Sequence, residues 1–230
     1  NWVVIMAGGI GSRLGPLTDN KPKPLLKIGN KPLLETILEN FIEQGFHQFY
    51  ISVNYKAEMI EAYFGNGSRW GVNIQYLREK EKMGTAGALT LITETLEEPL
   101  IVMNGDIVTK VIFQQLLDFH NAYSPRATMC VREYDFKVPF GVVKLNLQRI
   151  VGLDEKPIHS FFVNAGIYVI EPEELSLIPQ NSFYDMTSFY NDLIQKNKKI
   201  VAFPIREYWM DIGHVEDYKK VNGEFNEVFK

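Results

Sequence analysis

The chain of 230 residues is 46% hydrophobic, which is enough for one sizeable core. Its formal net charge is only −4, and the sequence has no basic stripe of the kind that binds nucleic acid. No apolar run approaches the roughly 18 residues of a membrane span, and no signal peptide is visible. We therefore expect a cytoplasmic protein with neither a membrane nor a nucleic-acid partner. The single cysteine, Cys130, excludes an internal disulfide, and its apolar neighbours predict a buried side chain rather than a nucleophile.

The first half of the chain alternates predicted strands with predicted helices, which are recognised by runs of apolar residues and by apolar residues at helical spacing. The predicted strands are Trp2–Met6, Gln48–Val53, Asn73–Leu77 and Leu100–Met103, and the predicted helices are Pro32–Gln44, Lys56–Phe64 and Thr85–Thr93. Such alternation needs crossover connections. We therefore expect an α/β fold with a mostly parallel sheet and helices on both faces.

The second half is less regular, because strand follows strand, and this favours antiparallel additions that make the sheet mixed. The strands predicted here are Ala127–Val131, Phe140–Leu145, Arg149–Leu153 and Phe161–Ile170, with helices near Pro172–Leu177 and Asp185–Lys196. No tandem repeat, low-complexity segment or linker divides the chain. A single domain is the prediction.

The most informative segment is the glycine-rich loop that follows the first strand, where an open α/β sheet places its ligand crevice. Three glycines, Gly8, Gly9 and Gly11, can adopt backbone conformations closed to other residues. Their amides can then line a cavity for a phosphate chain. Arg13 and Lys23 add positive charge to the same loop. This combination predicts an anion site.

Two better-known glycine loops do not fit this segment. The dinucleotide fingerprint Gly-x-Gly-x-x-Gly, begun at Gly9, fails at its last position, which is Leu14. The second strand also ends in Asn54 rather than in an acid that could hold a ribose. A P-loop needs Gly-Lys-Ser or Gly-Lys-Thr, and the sequence contains neither. These failures argue against a dinucleotide-dependent dehydrogenase and against a P-loop NTPase.

The loop resembles the signature of the sugar-1-phosphate nucleotidyltransferase family, which runs Gly-Gly-x-Gly-x-Arg-Leu, then Pro-Leu-Thr, then Pro-Lys-Pro-Leu. The resemblance implies a Rossmann-like, three-layer fold and transfer of a nucleotidyl group from an NTP to a sugar 1-phosphate, with release of pyrophosphate. It implies nucleotide contacts from Ala7, Gly8, Gly9, Gly11, Ser12, Arg13 and Lys23. Of these, Arg13 is expected on the departing phosphates and Lys23 on the α-phosphate, both as catalytic residues.

Two aspartates follow apolar strands, Asp106 in Leu-Ile-Val-Met-Asn-Gly-Asp and Asp211 in Tyr-Trp-Met-Asp-Ile-Gly. A lone Asp at a strand end is more often a turn or a helix cap. A carboxylate beside apolar residues needs a partner, however, and Mg²⁺ often binds one or two carboxylates together with substrate phosphates. The resemblance identifies Asp106 and Asp211 as catalytic ligands of a Mg²⁺ cofactor and Asn104 as a nucleotide contact.

Two further regions predict the base and the sugar sites. The segment Glu-Lys-Glu-Lys-Met-Gly-Thr-Ala-Gly-Ala begins at Glu79, and its small residues permit close approach of a flat base. Composition alone would fit ordinary helix packing equally well. The segment resembles the Leu-Gly-Thr-Ala-Gly base-recognition element of the family, which implies base contacts from Gly84 and Thr85, with Glu79 nearby.

Glu-Lys-Pro at Glu155 and Asn-Ala-Gly at Asn164 would, alone, be turns or surface segments more often than a site. By resemblance, Glu155 and Asn164 contact sugar hydroxyls and Lys156 contacts the sugar phosphate. The backbone at Gly141 and Gly166 is expected beside them.

Two longer stretches, residues 51–61 and 203–209, resemble bacterial guanylyltransferase-type domains carried behind tandem cystathionine-β-synthase-type modules. This resemblance implies GTP as donor, a hexose or amino-sugar 1-phosphate as acceptor, and a fragment that lacks N-terminal regulatory modules. Within the single domain, we predict a nucleotide-binding lobe at 1–115, a sugar-phosphate-binding lobe at 116–213 and a C-terminal helix at 214–230. A homo-oligomer is compatible with the sequence.

Three alternatives stay open at this point. The donor could be UTP, dTTP or CTP, and the acceptor could be an alcohol phosphate such as phosphocholine. The chain could also be a non-catalytic sugar-nucleotide sensor. The presence of both loop cations and both aspartates argues against a sensor, and the Glu-Lys-Pro and Asn-Ala-Gly segments argue for a sugar.

Overall fold

The structure is a computed structural model, and it describes residues 1–228. The strands are β1 (Val3–Met6), β2 (Lys27–Ile28), β3 (Lys31–Pro32), β4 (Gln48–Val53), β5 (Asn73–Arg78), β6 (Leu100–Asn104), β7 (Ile107–Thr109), β8 (Ala127–Lys137), β9 (Gly141–Asn146), β10 (Arg149–Glu155), β11 (Ile158–Ile170), β12 (Ile200–Pro204) and β13 (Trp209–Asp211). The α-helices are α1 (Leu33–Glu43), α2 (Ala57–Phe64), α3 (Gly84–Gly87), α4 (Phe113–Tyr123), α5 (Met186–Gln195) and α6 (Val215–Val228).

Seven strands form the central sheet, in the order β12-β8-β11-β6-β1-β4-β5. Neighbours are parallel throughout, except that β11 runs antiparallel to both β6 and β8. The predicted mixed, mostly parallel sheet is therefore confirmed. The chain adds β4 and β5 on one side of β1 and then crosses to add β6 on the other. Such a reversal opens a crevice at the carboxyl ends of the two strands where it occurs, β1 and β6.

Helices cover both faces of this sheet. Because successive side chains of a strand point to opposite faces, Val3 and Ile5 of β1 join one buried cluster and Val4 joins the other. The first cluster includes α1, α2 and α4, where Phe41 stacks on Phe113 with ring centroids 3.9 Å apart. The second cluster is closed chiefly by α5. The result is three layers, as expected.

The antiparallel pair β8 and β11 continues well beyond the edge of the sheet. The strand β12 accompanies β8 only as far as Val131, whereas β8 stays paired with β11 as far as Lys137 and Ile158. Between them, β9 and β10 form a separate two-stranded sheet. Residues 132–163, called the arm below, thus project from the body of the protein. The predicted strands Ala127–Val131 and Phe161–Ile170 were too short, because the arm's exposed ends lack a buried apolar pattern.

One predicted helix was wrong, and other elements were missed. The segment Thr85–Thr93 forms the short helix α3 followed by a 3₁₀ turn over Ala88–Leu91. The amides of Ala86 and Gly87 donate to the carbonyl of Tyr184, and this tertiary contact fixes a tighter backbone path. Pro172–Leu177 is also a 3₁₀ helix. The helix α4 and the strand β12 had not been predicted. Of the predicted C-terminal helix, α6 covers Val215–Val228, and residues 229–230 lie outside the described part.

Candidate active site

The glycine-rich loop and the first aspartate meet at the reversal point of the sheet, because they follow β1 and β6 directly. The amide of Gly105 donates to the carbonyl of Met6 at 2.9 Å. A Cβ placed on Gly105 would lie only 2.7 Å from that carbonyl oxygen, so a glycine is required there. The two strand ends are therefore held together by backbone contact. This contact brings the loop and Asp106 to one crevice.

The glycine loop is folded tightly around the lysine that follows it. Gly11 has φ +71°, and a Cβ there would lie 3.1 Å from both Lys23 and Thr18. The hydroxyl of Thr18 donates to the carbonyls of Gly11 and Gly15 at 3.3 and 3.1 Å, which closes the loop on itself. At Gly9, by contrast, no atom lies within 4 Å of the Cβ position, so its backbone is open to a ligand.

Four charged side chains converge at the mouth of this crevice. Lys23 is only 8% exposed, and its ammonium donates to the carboxylate of Asp106 at 2.7 Å. The strand β13 ends at Asp211, and the next amide donates to the carbonyl of Asp106 at 3.0 Å. A Cβ on Gly213 would lie 3.4 Å from the guanidinium of Arg13. Residues far apart in the sequence thus share one small region.

The charges of this group act on one another. Displacement of water by the surrounding protein raises the pKa of the Asp211 carboxyl, and the neighbouring carboxylate of Asp106 raises it further. The charges of Lys23 and Arg13 lower this pKa in part. Burial, the largest cause of this rise, and the like charge of Asp106 both disfavour the ionised form of Asp211. A cation bound between them would relieve this repulsion.

The donor set suits a hard divalent cation. No group of three or more His, Cys, Asp or Glu side chains that could hold a metal occurs within residues 1–228. Two aspartates would supply only part of a coordination sphere, and phosphate and water oxygens would supply the rest, as they commonly do for Mg²⁺. Nearby, the Oδ1 atom of Asn104 is buried without a hydrogen-bond partner. A buried acceptor without a partner is costly, and it indicates a site that a ligand completes.

A cleft of about 340 Å³ extends from these charges toward α3. It is lined by Met6, Gly8, Gly9, Arg13, Glu79, Lys82, Gly84, Thr85, Asn104, Asp106, Phe183 and Asp185. Eight of these residues had been predicted from the sequence as nucleotide or metal contacts, so the structure brings most of the predicted set together. Ala7 is buried at the end of β1, and Ser12 lies exposed at the start of the following 3₁₀ turn.

The floor of the cleft carries a buried carboxylate. Glu79 is 8% exposed, and its two oxygens accept hydrogen bonds from the hydroxyl of Ser52 at 2.5 Å and the amide of Met83 at 2.9 Å. A Cβ on Gly8 would collide with the same carboxylate. Among the described residues, no positively charged group forms a salt bridge with Glu79. The carboxylate is therefore held by neutral donors and faces the cleft.

The far wall of the cleft was missed by sequence reasoning. Asp185, directly before α5, accepts hydrogen bonds from the amide of Thr85 at 3.1 Å and from its hydroxyl at 3.4 Å. The same hydroxyl accepts from the amide of Met186 at 2.8 Å. Thr85 is thus already occupied in holding α5. Asp185 carries the sequence signal of a helix N-cap, but the exposed Phe183 carries no signal that separates it from any other surface aromatic.

The predicted sugar-site residues divide into two groups. Gly166 has φ +69°, and a Cβ there would lie 2.7 Å from the side-chain nitrogen Nδ2 of Asn104. The turn that contains Asn164 and Gly166 therefore adjoins the cleft. The side chain of Asn164 stabilises the same turn by accepting from the amide of Gly166 at 2.9 Å and donating to the hydroxyl of Tyr168 at 2.8 Å. The indole of Trp209 donates to the carbonyl of Ala165, which ties the turn to β13.

The other three sugar-site residues, Gly141, Glu155 and Lys156, lie on the arm. Gly141 and Glu155 are opposite each other in the β9–β10 register, and the ammonium of Lys156 lies 3.8 Å from the carboxylate of Glu155. They are not among the residues that line the cleft. The structure therefore groups them with one another but does not bring them to the charged crevice.

Among residues 1–228, no helix is both long and apolar enough to span a bilayer.

Relatives of known function match nearly the whole of the chain. Mannose-1-phosphate guanyltransferase of Saccharomyces cerevisiae is 32% identical over 225 residues, which are 94% of this chain but 62% of the relative. The chain thus spans about three fifths of that protein. D-glycero-alpha-D-manno-heptose 1-phosphate guanylyltransferase of Aneurinibacillus thermoaerophilus is 32% identical over 226 residues, which are 96% of both proteins.

Solved structures agree with this match. HddC from Yersinia pseudotuberculosis has a TM-score of 0.76 and 27% identity, covering 97% of this chain and 99% of that one. The same protein complexed with GMP-PN gives a TM-score of 0.76 at 25% identity, again over 97% and 99% of the two chains. The family model described as Nucleotidyl transferase matches residues 2–227. The chain therefore belongs to the nucleotidyl transferase family.

Proposed function

We propose that the chain transfers a guanylyl group from GTP to a sugar 1-phosphate, giving a GDP-sugar and pyrophosphate with the help of Mg²⁺. The observation that carries this proposal is the convergence of the bonded pair Lys23 and Asp106 with Asp211 and Arg13 at the mouth of the cleft. The reaction belongs in the cytoplasm, where nucleoside triphosphates are available.

The proposed reaction is a single in-line displacement. A phosphate oxygen of the sugar phosphate forms a bond to the α-phosphorus of GTP, the bond from that phosphorus to the bridging oxygen breaks, and pyrophosphate leaves with the electron pair. Such a transfer depends on positioning and on neutralising charge, so a protein nucleophile is not required. The only cysteine of the sequence, Cys130, is fully buried and so is not available as a nucleophile.

The reaction requires positive charge at the phosphates, which we assign to Lys23, Arg13 and a bound Mg²⁺. The carboxylate of Asp106 fixes the ammonium of Lys23, which we assign to the α-phosphate. The guanidinium of the exposed Arg13 is assigned to the departing phosphates, where charge develops as the bond breaks. Asp106 and Asp211 are the residues that would hold Mg²⁺. A bound Mg²⁺ would supply Lewis-acid polarisation and charge neutralisation at the phosphates.

The buried Glu79 favours guanine over the other bases. An ionised carboxylate only accepts hydrogen bonds, and each of its oxygens has a second lone pair beyond those used by Ser52 and Met83. The Watson–Crick edge of guanine offers two adjacent donors, the ring N1–H and the 2-amino group. Uracil and thymine offer one donor between two acceptors, and the acceptors would face the carboxylate. The names of the curated relatives agree with guanine.

For the acceptor, we propose a hexose or heptose 1-phosphate, because the relatives named above act on mannose and heptose 1-phosphates. The unpartnered Oδ1 atom of Asn104 and the turn at Asn164 and Gly166 are assigned to hydroxyl groups beside the reacting phosphates. The contacts proposed for Glu155 and Lys156 require the arm to close toward the cleft.

The test combines each of the four NTPs with each of several acceptors: mannose, glucose, heptose and amino-sugar 1-phosphates, and phosphocholine. Turnover of each pair is measured as the release of pyrophosphate. We expect turnover with GTP and a sugar 1-phosphate and little with the other pairs. Turnover only with CTP and phosphocholine would show that the donor is CTP and the acceptor an alcohol phosphate, and would refute the proposal. Binding without turnover for every pair would identify a sensor instead.

A further inference from the structure

One cation of the cleft has no part in the reaction described above. Lys82 is exposed and lines the cleft, and within residues 1–228 no carboxylate forms a salt bridge with it. The other basic side chains of the site, Lys23 and Arg13, are assigned to the phosphates. The ammonium of Lys82 is therefore available to another part of the ligand.

The fold places Lys82 at the end of the cleft where the base is proposed to bind. The amide of Met83 donates to the buried carboxylate of Glu79 at 2.9 Å, so the chain between these two residues forms a closed turn. Lys82 lies on this turn, directly before Met83, and Gly84 and Thr85 of α3 follow it. The ammonium and the carboxylate of Glu79 are thus carried by one short segment.

A contact with Phe183 holds the ammonium beside the cleft. Its Nζ atom lies 5.5 Å from the centroid of the Phe183 ring, within the range of a cation–π interaction. The ring is tied to the same turn, because the amide of the next residue, Tyr184, donates to the carbonyl of Met83 at 2.8 Å. Both Lys82 and Phe183 also line a second cavity of about 370 Å³. The pair therefore forms a partition at this end of the cleft.

The other hydrogen-bond donors of this wall are largely used within the protein. The amide and the hydroxyl of Thr85 both donate to the carboxylate of Asp185. The amides of Ala86 and Gly87 both donate to the carbonyl of Tyr184 at 2.9 Å. A ligand atom that accepts hydrogen bonds needs a different donor here. The lysine ammonium offers three N–H groups, and its charge makes such a bond stronger.

Guanine presents an acceptor of this kind. When its N1–H and 2-amino groups donate to Glu79, the next atom along the same edge is the acceptor O6. We propose that the ammonium of Lys82 donates to this O6 atom and makes Lys82 a second specificity residue for the base, a role that rests on the guanylyl transfer proposed above. Lysine is a common partner of O6 and N7 of guanine. Adenine carries an amino group in place of O6, and this donor would face the ammonium.

The experiment compares GTP with 6-thio-GTP, in which sulfur, a weak hydrogen-bond acceptor, replaces O6. The N1–H and 2-amino groups remain, so the contact with Glu79 is kept. The variant Lys82→Met removes the ammonium and keeps most of the apolar stem. The matched control Lys80→Met makes the same change at an exposed residue that does not line the cleft. Release of pyrophosphate at a saturating sugar 1-phosphate gives kcat/KM, and circular dichroism reports the fold.

The wild-type enzyme should use GTP with a kcat/KM at least about tenfold above that for 6-thio-GTP. Lys82→Met should lower this constant at least about tenfold for GTP but less than about threefold for 6-thio-GTP. Lys82→Arg should keep the preference for GTP, because arginine also donates to O6 of guanine. The control Lys80→Met should leave both constants within about twofold of the wild type.

Two outcomes would overturn the role of Lys82 while GTP remains the donor. Equal losses with GTP and 6-thio-GTP in Lys82→Met would place this lysine on the phosphates instead of the base. Equal use of the two donors by the wild-type enzyme would exclude a contact with O6, and this result needs no variant. Failure of the wild-type enzyme to use GTP with any sugar 1-phosphate is a different result, which refutes the proposed function and the role of Lys82 together.

Discussion

The replacement Glu79→Gln tests the origin of base selectivity most directly. It keeps the volume of the side chain, so the close approach of Gly8 is unchanged, but it removes the charge and turns one acceptor into a donor. Guanine then loses one charge-assisted hydrogen bond, and one of its N–H groups faces the N–H group of the new side-chain amide. A hydrogen bond to a charged group contributes about 1.5–3 kcal/mol, which corresponds to a fall of about 10- to 150-fold in kcat/KM for GTP.

The assay is pyrophosphate release with GTP and with UTP at a fixed, saturating sugar 1-phosphate. The edge of uracil contains both a donor and an acceptor, and an amide can pair with both. We therefore expect kcat/KM for UTP to hold or rise while that for GTP falls. The ratio of the two constants should change by at least about tenfold.

The matched control is Glu81→Gln, which makes the same chemical change two residues away at an exposed position. It should leave both kinetic constants within about twofold of the wild type. A Glu79→Gln enzyme that is folded and keeps its preference for GTP would refute the assignment of this carboxylate to the base. Equal losses with GTP and UTP would show that the residue only supports the fold.

The remaining predictions concern the phosphate site and the core. Lys23→Met should lower kcat by about 100- to 1,000-fold, because the α-phosphate loses its cation; steady-state rates within tenfold of the wild type would contradict its role. Asp211→Asn should raise the Mg²⁺ concentration needed for half-maximal rate at least about tenfold, and an unchanged Mg²⁺ titration would remove this residue from the metal site. Gly11→Ala should lower the free energy of unfolding, measured by urea titration, by about 1–3 kcal/mol, because Gly11 has a positive φ and its Cβ position touches Lys23. The control Gly223→Ala should raise this free energy by about 0.5–1 kcal/mol, because Gly223 lies in helix α6 with open space at its Cβ position. Burial raises the pKa of the Cys130 thiol, so a thiol reagent should label no cysteine at neutral pH until the chain unfolds, and rapid labelling of the native protein would contradict this burial.

The crevice could be predicted from the sequence because each of its two main segments directly follows a strand that is recognisable on its own. The glycine loop directly follows β1 and Asp106 directly follows β6, so a prediction of two parallel strands already placed both at one edge. The charges on Lys23 and Asp106 could be matched by chemistry alone. Asp211 could be singled out as an acid that follows a short apolar run, but its role as a metal ligand came from the resemblance.

Other features depend on contacts between distant residues and could not be predicted. Phe183 and Asp185 reach the cleft only because the segment before α5 packs against α3, about a hundred residues earlier in the chain. The same packing replaced the predicted helix at Thr85–Thr93 with a shorter one. The length of the arm was also hidden, because strands that are exposed on both sides lack the burial that makes their pattern visible.

The backbone contact between Gly105 and Met6 has a consequence for how the cleft recognises its ligand. This contact joins the base of the cleft to the hydrogen-bonded ladder of the central strands, the part of a domain that is generally the most resistant to local opening. The opposite wall consists of short helical turns and an exposed aromatic ring. The amide of Glu79 donates to the carbonyl of Val53 at 2.9 Å, so the carboxylate proposed to select the base is anchored to the same central sheet.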